Sequence, residues 1–256
     1  MNKQLLVLFK LTGRTRLNFS QHTASPIARV VGGSDVPKGK YPYQVHIDYF
    51  GSFVGGGSIL NERYILTAAH CIYGRKIKGH VIVAGVSNLT EIGNKYLVDE
   101  FIVHKDFDTK KKINDIALIR LRVDIKFTDS IKPIALPNVD VEYYNGHAVL
   151  TGWGQLASNR PVANILQEIE LSVISSDKCQ KYFSQNIEKT QICTLTYGGK
   201  GACNGDSGGP LSSNGTQIGI VSYGKPCAKG YPDVYTKVYA HLDWIQKNIL
   251  GILKKN

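Results

Sequence analysis

From residue 43 onward the chain is a series of short segments rich in β-branched and aromatic residues, set apart by Gly, Asn, Asp and Pro. Tyr43 to Tyr49 alternates apolar and polar positions, as do parts of Tyr96 to Val103; a period of two puts one set of side chains on one face of a strand. Tyr64 to Thr67, Val81 to Ala84, Ala117 to Leu121, Ala148 to Thr151, Ile165 to Val173, Gln217 to Ser222 and Val234 to Val238 continue the series. Strands this short and this frequent predict an all-β barrel or sandwich. The C-terminal segment departs from the pattern. Leu242, Ile245, Ile249 and Leu253 recur at helical spacing, Lys254 and Lys255 fall in the last turn, and only Gly251 weakens the helix. Its polar face is not strongly basic, which argues against a membrane-surface role.

A chain of 256 residues makes one large β domain or two small ones, and either buries a sizeable core. The formal charge is +11, but residues 1–29 carry five Lys or Arg (Lys3, Lys10, Arg14, Arg16, Arg29) and no acid, which leaves 26 basic against 20 acidic residues in the rest. Basic residues are not clustered on one element and interleaved with aromatics, as nucleic-acid binding requires. The densest run, Lys110-Lys111-Lys112, sits in a predicted loop and reads as solvated surface. No run approaches the ~20 apolar residues of a membrane span. There is no internal repeat, low-complexity stretch or long linker.

Three stretches carry candidate chemistry. Gly205-Asp206-Ser207-Gly208-Gly209-Pro210 reads as a turn presenting one serine, with glycines that free the Gly205 and Ser207 amides to point into one small space. Thr67-Ala68-Ala69-His70-Cys71 supplies a base, and Asn114-Asp115-Ile116-Ala117-Leu118 an acid leading into an apolar strand. A serine hydroxyl needs such a base, and donors for the oxyanion, to act as a nucleophile. Taken singly, each has a plainer reading: a Gly-rich turn, a core histidine, a turn or helix cap.

The order His70, Asp115, Ser207, together with Val30-Val31-Gly32-Gly33 and Thr151-Gly152-Trp153-Gly154, resembles the chymotrypsin family of serine proteases, most of all the chymotrypsins of insects such as ants and wasps. The resemblance runs over almost all of residues 30 to 250. It implies two six-stranded antiparallel β-barrels packed together, with the C-terminal helix docked on the second. It makes residues 1–29 a leader and propeptide and residues 30–256 the peptidase domain. His70 then takes the proton of Ser207, Asp115 orients and stabilises His70, and the amides of Gly205 and Ser207 form the oxyanion hole. Cleavage after Arg29 by a trypsin-like enzyme exposes the Val30 amine to pair with Asp206, so the full chain is a zymogen. Expected partners are peptide substrates, the activating protease and protein protease inhibitors; the enzyme is expected to work as a monomer without a cofactor.

The resemblance also pairs four of the five cysteines, Cys179 with Cys193 and Cys203 with Cys227. Cys71 is left as a free thiol, because Gly55 stands where the family keeps its partner; an intermolecular disulfide is the alternative. Disulfides imply an oxidising compartment, hence secretion. The leader is atypical: Lys10 interrupts the apolar run Leu5 to Phe9 and no small-residue cleavage site follows. An acid-free, Arg-rich leader also fits a mitochondrial presequence. Asn88-Leu89-Thr90 and Asn214-Gly215-Thr216 match the N-glycosylation pattern. A calcium loop needs acids around residues 86 to 95, and only Glu91 is there, so no metal is expected.

For specificity, the family position at the floor of the primary pocket is Gly201, with Ala202 to Asn204 on one wall and Ser222-Tyr223-Gly224 on the other. The floor lacks the acid of a trypsin, while Asp233 stands where most relatives keep a wall glycine. This combination resembles crab collagenolytic protease and some insect chymotrypsins. Either Asp233 faces the pocket and admits Arg and Lys beside large apolar residues, or it turns away to hydrogen-bond and leaves the pocket apolar; it also reads as a turn cap next to Pro232. Phe, Tyr and Leu are expected before the scissile bond, with basic residues secondary. A second class of function stays open: a catalytically dead homologue that uses the fold for binding.

Overall fold

The computed structural model describes residues 31–140, 146–196, 199–225 and 227–252. Arg29, Val30, Leu253, Lys254 and Lys255 lie outside the described residues, as does the whole of the leader.

Two closed barrels account for the strands. The first comprises β2 (Gln44–Tyr49), β3 (Ser52–Ile59), β4 (Tyr64–Thr67), β5 (His80–Ala84), β6 (Asn94–Val103) and β7 (Ala117–Leu121), paired antiparallel in the order β2-β3-β4-β7-β6-β5 and closed by β5 on β2. The second comprises β8 (His147–Gly152), β9 (Gln167–Ile174), β10 (Gln191–Thr194), β11 (Pro210–Ser213), β12 (Thr216–Gly224) and β13 (Asp233–Lys237), in the order β8-β9-β10-β13-β12-β11 and closed by the β8–β9 pairing. A short β1 (Ser34–Asp35) adds to β9. Closure removes the free edges that a sheet of this length would otherwise expose.

Buried apolar side chains fill each barrel. Ile47, Ile65, Leu66, Ile82, Leu118 and Ile119 form the first core, and Leu150, Leu171, Ile192, Leu211, Ile218 and Tyr235 the second. A third cluster fills the seam: fully buried Trp153 packs with Val83 and Val86 of the first half and Leu166 of the second. Polar groups cross the same seam in pairs. Thr151 Oγ1 donates to Gln44 Oε1 at 2.7 Å, Ser58 Oγ to Gln217 Oε1 at 2.5 Å, and Gly56 N to the Ser207 carbonyl at 2.9 Å. Buried donors that meet acceptors across an interface fix its register, since a shift would strand each of them.

The strands expected from the sequence are present with ends displaced by at most two residues, and Tyr64–Thr67 and Ala117–Leu121 match at both ends. Three barrel strands, and the two-residue β1, carried no such signal. β3 contains Gly55-Gly56-Gly57, which lowers strand propensity but lets the backbone lie against the second barrel. β10 and β11 are four residues each; β11 joins β12 through Asn214-Gly215, both with positive φ, as a tight hairpin turn demands.

Three short or terminal helices complete the chain: α1 (Ala69–Ile72), α2 (Ser176–Gln180), whose N-cap Ser175 accepts from Lys178 N at 3.3 Å, and α3 (Leu242–Ile252). The helix α3 follows the second barrel, but its buried Ile245 belongs to the core cluster of the first, with Leu242, Trp244 and Ile249 packed against it. That cluster also holds Ile220 and Val238 of the second half, while the Trp244 ring packs on His104 and His241 Nε2 meets Asn114 Oδ1, so the expected docking on the second barrel is corrected to docking at the seam, after a 3-10 turn at Tyr239–His241. Among the described residues no helix is long and apolar enough to cross a membrane.

Cys179 is bonded to Cys193, and Cys203 to Cys227. Cys71 is free and buried, 3% exposed. A Cβ on Gly55 would stand 3.4 Å from the Cys71 sulfur but only 2.8 Å from the Ser207 carbonyl oxygen, so the strand is drawn in toward the serine turn where the family's cysteine would sit. Thiol labelling of the unreduced, denatured monomer is expected to modify one cysteine. A count of zero would show that Cys71 is oxidised or bonded to another chain.

Candidate active site

The three candidate residues come from three loops that meet at the seam. His70 lies in α1, Asp115 two residues before β7, and Ser207 in the turn before β11. Asp115 is fully buried. Its carboxylate accepts the His70 ring, Nδ1 to Oδ2, at 2.7 Å and the His70 backbone N–H at 2.9 Å, so one acid holds both the ring and the main chain of the histidine. Ser222 Oγ donates to the same Oδ2 at 2.6 Å, and Thr236 Oγ1 donates to the Asp115 carbonyl at 2.8 Å. These last two come from β12 and β13 of the other barrel. Neither role is visible in the sequence beyond a polar residue in an apolar strand, and Ser222 was expected only as a pocket wall.

The Nε2 of His70 faces the Cys71 sulfur at 3.8 Å; among the described residues no hydrogen bond joins it to Ser207. The two turns nonetheless touch: a Cβ on Gly208 would lie 3.0 Å from the Cys71 sulfur and 2.3 Å from Thr67 Oγ1, and Gly208 has a φ of +76°. Only glycine fits there. Burial lowers the pKa of the His70 ring, but the Cys71 sulfur and the Asp115 carboxylate outweigh it and hold the ring above the usual 6.5.

Around Ser207 the amides divide into used and free. Asp206 N donates to Cys203 O, Gly208 N to Val221 O and Gly209 N to Asp206 O. Among the described residues the N–H groups of Gly205 and Ser207 have no acceptor. A half-buried pair of unused donors beside a hydroxyl suits a charge that appears only during reaction. Asp206 points away from them, 1% exposed, accepting from Gly154 N at 2.8 Å and Cys203 N at 2.9 Å. Burial pushes its pKa up to about 6 against those two amides.

Ser207 opens onto a cleft of about 150 Å³ lined also by Ala202, Asn204, Ser222, Tyr223, Gly224 and Asp233. Gly201 does not line it: the Asp233 carboxylate lies where a Cβ on Gly201 would be, 2.7 Å from that position. The expected floor residue is thus covered by the wall acid. Asp233 Oδ2 accepts from Ala202 N at 2.7 Å. It is 7% exposed, and its pKa is pushed up to about 7 by burial first, with the Asp206 charge adding and the Ala202 amide opposing.

No cluster of three potential metal ligands occurs among the described residues. Glu91, the one acid between residues 86 and 95, accepts from the Ser87 and Asn88 amides and pairs with Lys38 Nζ at 2.6 Å.

The trypsin family model matches residues 30–245. Chymotrypsin-2 of the hornet Vespa crabro is 47% identical over 221 residues, which covers 86% of this chain and all of that protein. Trypsin-1 of the crayfish Astacus astacus is 37% identical over 238 residues, 86% of this chain and 99% of that one. Neuropsin, a serine protease expressed in the limbic system of mouse brain, superposes with a TM-score of 0.79 at 28% identity, over 85% of this chain and 98% of that one. With the fold, the match along almost the whole domain and the coverage of complete relatives in agreement, the chain belongs to the trypsin family and is a serine endopeptidase of the chymotrypsin-like kind.

Proposed function

We propose that Ser207, His70 and Asp115 form the catalytic triad of a secreted endopeptidase made as a zymogen. The buried Asp115 holding both the ring and the backbone of His70 is the observation that carries this reading. His70 takes the Ser207 proton as the hydroxyl attacks the peptide carbonyl and returns it to the leaving amine. Asp115 fixes the tautomer that leaves Nε2 as the base. The Gly205 and Ser207 amides receive the oxyanion. The absence of a Ser207–His70 hydrogen bond does not oppose this, because such contacts tighten only when substrate closes the site.

Cleavage after Arg29 by a trypsin-like enzyme supplies the Val30 ammonium to Asp206, which among the described residues has only amide partners for a carboxyl almost wholly removed from water. A charge there without a counter-ion is costly, and the amine removes that cost. The cleft beside Ser207 accepts large apolar side chains before the scissile bond, with Arg and Lys tolerated through Asp233. The substrates are proteins in an extracellular, digestive setting, protein protease inhibitors compete for the cleft, and the enzyme works as a monomer. The second reading, a binding protein with a dead site, draws on the sulfur that occupies Nε2.

A fluorophosphonate probe separates the two: the cleaved chain is expected to label at Ser207, and Asp115→Asn to lower kcat about 10⁴-fold, the loss known for this change in the family. No labelling of the cleaved chain favours the binding protein.

Arg29→Gln, treated with trypsin and verified uncut at that site, is expected to stay inactive. Peptide hydrolysis by that variant at the rate of the cleaved parent contradicts zymogen activation.

His70 acts as a base only when neutral, and its pKa is raised, so activity is lost as pH falls through a value above 6.5. Because Cys71 contributes to that rise, Cys71→Ala is expected to move the acidic limb of kcat/KM to lower pH. A parental limb below 6.5, or one that moves upward in the variant, contradicts the assignment.

A further inference from the structure

Asp233 is the one side chain lining the cleft that titrates near neutrality. Tyr223, the other ionisable group there, has its pKa raised by burial above the tyrosine value of 10. The carboxyl is locked in place by its strands: β13 pairs Asp233 with Gly224 of β12 on one side and with Thr194 of β10 on the other. Gly201 and Gly224 lie against it, where Cβ atoms would stand 2.7 Å from Oδ2 and 3.0 Å from Oδ1. One oxygen accepts a single amide, Ala202 N, and among the described residues no cation pairs with the other. The charged group acting from the neighbouring serine turn is Asp206, which repels; on its own strand the phenol of Tyr235 is held neutral by burial and by Asp233 itself. From the segment before the turn comes only the uncharged Ala202 N–H.

We propose that this cleft is a proton-gated specificity pocket: it takes large apolar side chains while Asp233 is protonated and arginine side chains once Asp233 is ionised. The inference rests on the reading of the cleft as the primary specificity pocket. A neutral carboxyl can be covered by an aromatic ring without burying a charge, whereas a carboxylate covered by the same ring is left unpaired in a dry site. A guanidinium reverses the preference, because it supplies the missing counter-ion and donors for the unbonded oxygen. The carboxyl changes state close to pH 7, where neither competing substrate titrates. When the Val30 ammonium pairs with Asp206, the repulsion on Asp233 diminishes, but burial, the larger cause, stays.

The test uses the activated enzyme and two peptides that differ only in Phe or Arg before the scissile bond. The ratio of kcat/KM for Arg to that for Phe cancels the titrations of His70 and the Val30 amine, which both substrates share. Between about pH 5 and 9 the ratio is expected to rise about 10- to 100-fold, the size of a hydrogen-bonded charge pair, and in Asp233→Asn to be low and flat. A flat ratio in the parent, or a rise that survives in Asp233→Asn, overturns the gate. Gly224→Val, counted by fluorophosphonate titration of intact sites, separates this from failure of the pocket itself. If it cripples cleavage of both peptides while the parental ratio is flat, the pocket stands and the gate falls; if both peptides are cleaved as before, the pocket reading falls and the gate with it.

Discussion

A carboxylate with no exposed surface, placed between two barrels, is the constraint on which the rest of the site depends. Asp115 belongs to the first barrel, and its partners come from both: the ring and main chain of His70 on one side, Ser222 and Thr236 on the other. A buried acid is tolerated only when its oxygens find partners, so the second barrel must dock in one register for Asp115 to be satisfied. The same docking brings Gly56 N to the Ser207 carbonyl and sets the serine turn against α1. Assembly of the barrels and assembly of the site are thus one event, with Trp153 and its apolar neighbours supplying burial around the polar contacts.

Three buried acids lie in and beside the site, and the donors they receive differ in number. Asp115 is met by three donors to its carboxylate. Asp206 has two amides and is held near 6; Asp233 has one and is held near 7. Burial is the largest cause for both of the latter, so the difference follows what offsets it: one amide fewer for Asp233, and the Asp206 charge beside it. On the proposed activation Asp206 gains a cation, and on the proposed gate Asp233 changes state.

Much of this was legible in the sequence because it was local. Strands such as Tyr64–Thr67 and Ala117–Leu121 announce themselves by composition, and the turn at Gly205 to Pro210 by its glycines. What escaped was long-range. β3 reads as a glycine run, yet it is a strand because the second barrel lies against it. The helix α3 shows an apolar face without saying which barrel receives it. Ser222 and Thr236 look like ordinary polar positions in apolar strands until the topology places Asp115 against them. For Asp233 the sequence left two orientations open, and the structure combines them: one oxygen is hydrogen-bonded while the carboxyl still lines the cleft, because Gly201 leaves its space to the acid.

The unpaired Cys71 follows from the same geometry. With Gly55 in place of a cysteine, β3 approaches the Ser207 carbonyl too closely for a side chain, and the sulfur left behind packs against Gly208 and faces Nε2. The backbone contact from Gly56 ties β3 to the Ser207 turn, and Thr67 Oγ1, two residues before α1, donates to the Gly56 carbonyl at 2.9 Å. That exchange places a polarisable group at Nε2 of His70, where it favours the protonated ring. On the proposed triad, a change that looks like the loss of a structural bond thus reaches the chemistry through the basicity of one imidazole.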